Sequence, residues 1–300
     1  MSKPGVLRLF PEEEYVLPGH AACPGCPIGI GLRYVLKALE GKAIVVIPAC
    51  CTSIVAGPFP RSAFKVPVLH IAFAAAAATA SGILEALEAK GITDVHVVVW
   101  AGDGGTVDIG IQALSGAAER GHNIIYICYD NEAYMNTGIQ RSGATPYGAW
   151  TTTTVTGKRE HKKDVPAIMV AHRIPYVATA SVGFPVDLYN KVKKASMMKG
   201  LKYIHLHAPC PVGWRFPSEK TIEVARLAVE TGMWVLYEVV YGKFKLTGPS
   251  ARLLDKKQRK PIGEYLRLQE RFRKLSEQDV KELQDFVDNQ WEYITKMLER

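Results

Sequence analysis

Short apolar runs alternate with longer amphipathic segments through most of this chain, and this alternation limits the folds open to it. Five runs rich in Val, Ile and Tyr are almost continuously apolar, which is typical of strands buried on both faces of a sheet. They span residues 43–47, 95–100, 124–129, 176–180 and 203–207. Five amphipathic segments are predicted helices, at residues 29–39, 75–90, 107–120, 186–199 and 218–231. The pattern predicts an α/β fold with a mostly parallel sheet flanked by helices.

The character of the sequence changes after this alternating part. We expect residues 1–247 to form one domain and residues 248–300 a basic, helical C-terminal extension. Residues 276–300 read as one amphipathic helix with Ser276 as its N-cap, because apolar side chains recur at three- and four-residue spacing. These apolar side chains belong to Val280, Leu283, Phe286, Val287, Trp291, Ile294 and Leu298. The stripe must pack against the domain or against another chain.

Composition excludes some classes of protein. The chain is 48% hydrophobic and 22% charged, as globular proteins are, and no apolar run reaches the length of a membrane span. Residues 1–15 lack the apolar core of a signal peptide, so we expect a cytoplasmic location. Much of the net charge of +8 lies in residues 243–260. This basic run either contacts an acidic partner or a phosphate-bearing ligand, or is a solvated loop. Nucleic acid is disfavoured because no aromatic-interleaved basic motif is present.

The sharpest local signal is a glycine-rich loop after a predicted strand, Gly102-Asp103-Gly104-Gly105. Glycines let the backbone approach a ligand closely, and the helix that follows offers free N–H groups to an anion. An aspartate that faces a diphosphate needs a cation between them, and Mg²⁺ prefers oxygen ligands. Asn131 follows the next predicted strand, 28 residues after Asp103. Adjacent parallel strands would bring Asn131 to the same metal.

Five of the six cysteines lie in Gly- and Pro-rich connections, where ligands bind. Cys23 and Cys26 form a CxxC pair, Cys51 follows 25 residues later, and Cys210 a further 159 residues on. Four thiolates can hold a [4Fe–4S] cluster or a zinc ion, and spacing alone leaves both open. A thioredoxin-type redox pair would not need the two distant cysteines. Cys128 lies within a buried run and is predicted to be a core residue.

Together these motifs resemble the β subunit of pyruvate:ferredoxin oxidoreductase and its 2-oxoacid:ferredoxin oxidoreductase relatives. The resemblance covers nearly the whole chain. It rests on residues 19–26, 51–54, 102–104, 131–140, 208–214 and 261–266. It implies a thiamine-diphosphate-binding fold and an enzyme subunit for oxidative decarboxylation of a 2-oxoacid. Electrons would pass to ferredoxin and the acyl group to coenzyme A. Pyruvate is the default substrate, with oxalate, 2-oxoisovalerate and other 2-oxoacids open.

The resemblance also implies which residues bind the cofactors. Cys23, Cys26, Cys51 and Cys210 would bind a [4Fe–4S] cluster, and Cys50 is left over. Magnesium ligands would come from Asp103, Asn131 and the backbone carbonyl of Ala133. The residues expected at thiamine diphosphate are Ile28, Cys51, Gly102, Asp103, Gly104, Gly105, Asn131, Glu132, Ala133, Tyr134, Met135 and Asn136. Asn136 would be catalytic, beside the thiazolium and the substrate.

Partner chains are implied as well. An α subunit would supply the glutamate that activates the cofactor, and ferredoxin-like γ and δ subunits or domains would carry electrons. The chain departs from the family's pattern at two places. Pro27-Ile28 follow the second cysteine instead of Gly-Glu, and residues 72–78 are alanine-rich where relatives often carry Glu-Asn. Two alternatives stay open: a non-redox thiamine-dependent lyase with structural zinc, and a non-catalytic assembly subunit without cofactor.

Overall fold

A computed structural model describes residues 10–58 and 60–298, and an eight-stranded sheet forms its centre. The strands are β1 (Ala43–Pro48), β2 (Val68–Ile71), β3 (His96–Gly102), β4 (Ile124–Asp130), β5 (Tyr176–Ser181), β6 (Lys202–His207), β7 (Tyr237–Val240) and β8 (Lys243–Leu246). Their order across the sheet is β2-β1-β3-β4-β6-β5-β7-β8. The first six strands pair in parallel, whereas β7 pairs antiparallel with both β5 and β8. The prediction of a mostly parallel sheet is confirmed.

Helices cover both faces of the sheet. They are α1 (Ile28–Ala38), α2 (Cys51–Ala56), α3 (Ala76–Ala89), α4 (Ile111–Glu119), α5 (Val165–Ala171), α6 (Pro185–Ser196), α7 (Pro211–Trp214), α8 (Thr221–Glu230), α9 (Ile262–Leu266) and α10 (Glu277–Leu298). One apolar layer lies between the sheet and α1 and α6, and a second lies between the sheet and α3, α4 and α5. Among the described residues, no helix is both long enough and apolar enough to cross a membrane.

One predicted helix differs in form from the expectation. The segment predicted as a helix at residues 107–120 begins earlier, with a π-helical turn at Gly104–Asp108, and becomes α-helical only at Ile111. Gly110 permits this wide turn. A side chain at position 110 would place its Cβ 2.0 Å from the Gly105 carbonyl oxygen. The π-helical turn therefore follows directly after the end of β3.

The C-terminal helix α10 packs against the domain. One apolar cluster buries Leu283, Val287, Trp291 and Ile294 together with Trp214 of α7. The predicted N-cap is confirmed, since the Ser276 hydroxyl accepts the backbone N–H of residue 279 at 3.1 Å. The last two residues of the predicted helix, 299 and 300, lie outside the described residues. The apolar stripe is thus covered by this chain itself.

Part of the basic run is neutralised within the chain. Lys256 pairs with Asp288 of α10 at 2.6 Å, and Lys260 pairs with Glu230 of α8 at 2.8 Å. Lys243 and Lys245 instead lie exposed on β8, the outermost strand at one side of the sheet. The opposite edge strand, β2, carries no lysine, arginine or acidic residue, and its Leu69 is 42% exposed.

Trp291 should contribute strongly to stability. Its side chain is 1% exposed, its indole N–H donates to the Gly232 carbonyl at 3.0 Å, and the Arg259 guanidinium lies 4.2 Å from its ring. We expect Trp291→Ala to lower the free energy of unfolding by about 3–5 kcal/mol, as measured by chemical denaturation. Tyr293→Ala, on the same helix but 55% exposed, should change it by about 0.5 kcal/mol or less. Equal losses from the two variants would contradict this packing.

Candidate functional site

The glycine-rich loop and Asn131 meet at the carboxyl edge of the sheet. Strands β3 and β4 are parallel neighbours, with Gly102 opposite Tyr129, so the residues that follow them emerge side by side. A pocket of about 250 Å³ opens here. Ten of the twelve residues expected at thiamine diphosphate line it: Cys51, Gly102, Asp103, Gly104, Gly105, Asn131, Ala133, Tyr134, Met135 and Asn136. Ligands of parallel sheets bind at this edge in general.

Three polar atoms converge inside the pocket. A terminal atom of the Asn131 amide lies 2.9 Å from the Ala133 carbonyl oxygen and 3.1 Å from Asp103 Oδ1. As a nitrogen it would donate to both oxygens; as an oxygen it would complete a set of three oxygens that needs a cation. Oxygens bound at 2.0–2.1 Å in an octahedral Mg²⁺ site lie about 3 Å apart. The three residues expected to hold magnesium therefore fit the ion.

The electrostatics of Asp103 also suit a cation. The carboxyl is 1% exposed, and burial, followed by the neighbouring Asp130 carboxylate, raises its pKa well above the usual value. The Ser142 hydroxyl donates to Asp103 Oδ2 at 2.6 Å, and this hydrogen bond partly opposes the rise in pKa. The other oxygen, Oδ1, faces the Asn131 amide. A divalent ion beside Oδ1 would offset the desolvation of the ionised carboxylate.

Glycine is required at two positions of the loop that follows β3. A Cβ on Gly104 would lie 2.4 Å from the Tyr134 ring, and one on Gly105 would lie 3.1 Å from the Phe73 ring. A larger residue would push these rings into the space that the pocket keeps open. The following π-helical turn and α4 present their N-terminal end here, where backbone N–H groups favour an anion.

Two of the expected residues do not line the pocket. Ile28 is 3% exposed and packs in the apolar layer under α1. Glu132 is 4% exposed and points into a buried ion network, where Lys162 donates to it at 3.1 Å. Five residues line the pocket without having been expected there: Ala49, Cys50, Phe73, Tyr129 and Thr137.

Several residues that hold the loops of Asp103 and Asn131 in place were missed. Ser142 binds Asp103, and the Thr145 hydroxyl donates to the Glu132 carbonyl at 2.6 Å. The Trp214 indole N–H donates to the Asn131 carbonyl at 2.8 Å. Asp130, which accepts the Glu132 backbone N–H at 2.9 Å, carried a usable signal, because it is the one charged residue of the otherwise apolar strand β4. Trp214 belongs to the motif at residues 208–214 but was given no role there, and nothing local distinguished Ser142 and Thr145 from ordinary polar residues.

The expected cluster ligands come together from three separate loops. Burial raises the pKa of Cys26 to about 11, and the nearby thiols of Cys210 and Cys23 add to the rise. Burial likewise raises the pKa of Cys51, with Cys210 the next largest cause and Cys26 a smaller one. These effects indicate that Cys210 lies near both Cys26 and Cys51, and that Cys23 lies near Cys26. Cys51 also lines the pocket.

Local structure fixes the orientation of the thiols. The Cys26 backbone N–H donates to the Cys23 carbonyl at 3.0 Å, which closes the CxxC turn ahead of α1. Cys51 is the first residue of α2, which the buried Thr52 ties to β3 through the Trp100 indole N–H at 3.0 Å. Cys210 caps α7, and its sulfur accepts the Gly213 backbone N–H at 3.3 Å. Hydrogen bonds to sulfur of this kind tune iron–sulfur clusters.

The other two cysteines were not expected to bind the cluster. Cys128 is fully buried in β4, so its prediction as a core residue is confirmed. The Cys50 thiol adjoins Tyr129 and, after burial, is the next cause of the raised pKa of that tyrosine. Among the described residues, no three His, Cys, Asp or Glu side chains lie close enough to share a single metal ion.

Comparisons with known proteins agree with the geometry. Residues 49–206 match the family model described as "Thiamine pyrophosphate enzyme, C-terminal TPP binding domain". Ketoisovalerate oxidoreductase subunit VorB of Pyrococcus horikoshii is 54% identical over 300 residues, which cover 97% of this chain and 95% of that protein. Pyruvate synthase subunit PorB of Methanothermobacter thermautotrophicus is 54% identical over 285 residues, covering 93% of this chain and 97% of that protein.

The fold also has a solved counterpart. A chain of 2-oxoglutarate:ferredoxin oxidoreductase from Magnetococcus marinus superimposes with a TM-score of 0.58 at 24% identity. The match covers 71% of this chain and 79% of that one. The high identity to PorB and VorB over almost the whole length settles the family. The chain belongs to the family of thiamine-pyrophosphate-domain β subunits of 2-oxoacid:ferredoxin oxidoreductases.

Proposed function

We propose that this chain is the subunit that binds Mg²⁺, thiamine diphosphate and a [4Fe–4S] cluster in a 2-oxoacid:ferredoxin oxidoreductase. The observation that carries the proposal is the position of Cys51. It lines the pocket at the Asp103 loop and also adjoins Cys26 and Cys210. A cluster at these thiols would lie directly beside the cofactor, as electron transfer between them requires. The relatives support the same reaction class.

Each part of the pocket has a role in this proposal. Asp103, Asn131 and the Ala133 carbonyl hold the magnesium ion, and Gly104 and Gly105 let the backbone approach the diphosphate. When bound, thiamine diphosphate supplies the nucleophilic carbon and the electron sink for decarboxylation. Asn136 lines the pocket and can hydrogen-bond to the substrate.

The chain is proposed to be incomplete on its own. Of the described residues that line the pocket, Asp103 is the one carboxylate, and it is committed to the metal. The glutamate that activates the cofactor would then come from a partner α subunit. Ferredoxin-like γ and δ subunits or domains, ferredoxin and coenzyme A complete the proposed set of partners. The cytoplasmic location stays a prediction.

The reaction class favours a cluster over zinc, because the relatives are oxidoreductases and zinc carries no electrons. A structural zinc ion gathers four ligands at about 2.3 Å from one centre. The described side chains do not converge to that degree on any single point. In a [4Fe–4S] cluster each thiolate binds a different iron, so the sulfurs lie farther apart.

The pocket favours a substrate with a small apolar side chain. Ala49, Phe73 and Met135 line it, and no lysine or arginine is among the described lining residues. A second carboxylate, as in 2-oxoglutarate, would need a cation to balance it. We therefore propose pyruvate or 2-oxoisovalerate, and the equal identities to PorB and VorB support both.

Anaerobic purification of the chain with its native partners tests the proposal. We expect bound thiamine diphosphate, Mg²⁺, iron and sulfide, and 2-oxoacid-dependent reduction of a viologen dye. A panel of pyruvate, 2-oxoisovalerate, oxalate and 2-oxoglutarate identifies the substrate. A colourless preparation with zinc would favour the lyase alternative. Iron without thiamine diphosphate, or neither, would contradict the proposal and favour an assembly role.

A further inference from the structure

Arg271 is a buried cation outside every motif that pointed to the site. It lies in the short turn Glu270–Phe272 of the C-terminal segment and is 3% exposed. Its Nη2 lies 2.7 Å from Glu132 Oε2, and its guanidinium carbon lies 3.5 Å from the centre of the Trp214 ring. Residues 131–133 are the proposed magnesium loop, and residues 210–214 are the Cys210 loop. The Arg271 side chain thus touches one residue of each.

The contact with Glu132 bears on the metal site. Glu132 lies between Asn131 and Ala133 and has a left-handed backbone with φ of 62°, which is unfavourable for a residue with a side chain. Asp130 holds its backbone N–H, and Lys162 binds its other carboxylate oxygen at 3.1 Å. The turn at Glu132 is what directs the Ala133 carbonyl back toward the Asn131 side chain.

The contact with Trp214 bears on the cysteine site. Trp214 is the last residue of α7, which Cys210 caps. Its indole N–H donates to the Asn131 carbonyl, and the preceding Gly213 packs so tightly that a Cβ there would lie 2.1 Å from Met135 Sδ. The helix that carries Cys210 is therefore seated on the magnesium loop.

The chemistry of arginine suits both contacts at once. A guanidinium is planar and spreads its charge over several nitrogens, so it can stack on an indole while one of its nitrogens contacts a carboxylate; an ammonium offers no flat face for such stacking. Its Nε donates to Gln269 Oε1 at 2.9 Å, which fixes the plane. Arg271 and Lys162 also balance the two buried acids of the network, Asp130 and Glu132.

We propose that Arg271 is a positioning residue that couples the magnesium–thiamine-diphosphate loop to the Cys210 loop. It holds Glu132 and Trp214 in one fixed relation, so that a change in one loop is transmitted to the other. This assignment rests on the proposed function, because it takes the two loops as the cofactor site and a cluster site. It gives the C-terminal segment a role in the chemistry.

The test uses the complex purified anaerobically with its partners and two readouts. The first is the Mg²⁺ concentration at half-maximal retention of thiamine diphosphate. The second is the midpoint potential of the cluster, measured by redox titration with and without Mg²⁺ and thiamine diphosphate. Arg271→Met should raise the Mg²⁺ requirement about tenfold or more and abolish the dependence of the potential on the cofactor. Arg273→Met, exposed and two residues away, is the matched control and should match the wild type.

Arg271→Lys keeps the buried positive charge, so it serves as a second variant in case Arg271→Met does not fold. It should hold the Mg²⁺ requirement closer to the wild-type value but still lose the cofactor dependence of the potential, since lysine cannot stack on Trp214. A cofactor-dependent potential that survives in Arg271→Lys would overturn the coupling, as would a wild-type potential that ignores the cofactor. A wild-type complex that binds no thiamine diphosphate or no iron would instead overturn the proposed function.

Discussion

Asp103→Ala should give a folded subunit that no longer retains thiamine diphosphate. The variant removes one of three converging oxygens, and with it the one carboxylate that the described residues place in the pocket. Substitution of a residue that only hydrogen-bonds to a metal ligand weakens metal binding by about 10–100-fold. Loss of a direct ligand should therefore weaken Mg²⁺ binding by more than about a hundredfold. Thiamine diphosphate content after gel filtration measures the effect.

Folding should survive this change. Burial raises the pKa of Asp103, so in the absence of a cation the ionised carboxylate is disfavoured in the folded state. Replacing it should leave the thermal midpoint of the metal-free protein unchanged or higher. Asp94→Ala, at the exposed opposite end of β3, is the matched control and should keep its cofactor. Normal cofactor content in Asp103→Ala would remove Asp103 from the metal site.

Cys51→Ala should abolish both the iron content and the dye-reducing activity of the complex. A [4Fe–4S] cluster has about four irons on four thiolates, and the thiol lost here is the one that also lines the cofactor pocket. Electrons from the substrate would then have no acceptor beside the cofactor. Iron and sulfide analysis measures the first effect, and viologen reduction with the preferred 2-oxoacid measures the second.

Cys50→Ala is the matched control for this experiment, because it removes the neighbouring thiol. Cys50 faces Tyr129 in the sheet, whereas Cys51 adjoins Cys26 and Cys210. We therefore expect Cys50→Ala to keep its iron and sulfide. Iron lost from Cys50→Ala and kept in Cys51→Ala would exchange the roles of the two residues.

The parts of the fold that the sequence predicts are those that are buried on both faces. All five predicted strands are present within two residues of their expected ends, because a fully buried strand must be apolar throughout. Strand β2 was missed, since its four residues merge with the alanine-rich stretch that leads into α3. The hairpin of β7 and β8 was missed too, because it lies at the sheet edge, where only one side of the strand needs to be apolar.

The same distinction holds for the candidate site. Asp103 and Asn131 could be placed together because they follow strands that are consecutive in the chain and adjacent in the sheet. Ser142 and Arg271 reach the site through packing between distant segments, and their neighbours in sequence carry no trace of those contacts. Tertiary contacts of this kind depend on the whole fold, so no local pattern can reveal them.

The two edge strands of the sheet differ in how readily a strand of another molecule could pair with them. At β8, a second copy would bring its exposed Lys243 and Lys245 close to the same two lysines of the first copy. The repulsion between these like charges opposes strand addition. At β2, backbone groups lie beside Leu69 and His70 without such repulsion. If isolated chains associate by strand addition, we therefore expect it on the β2 side, where an engineered lysine should prevent it.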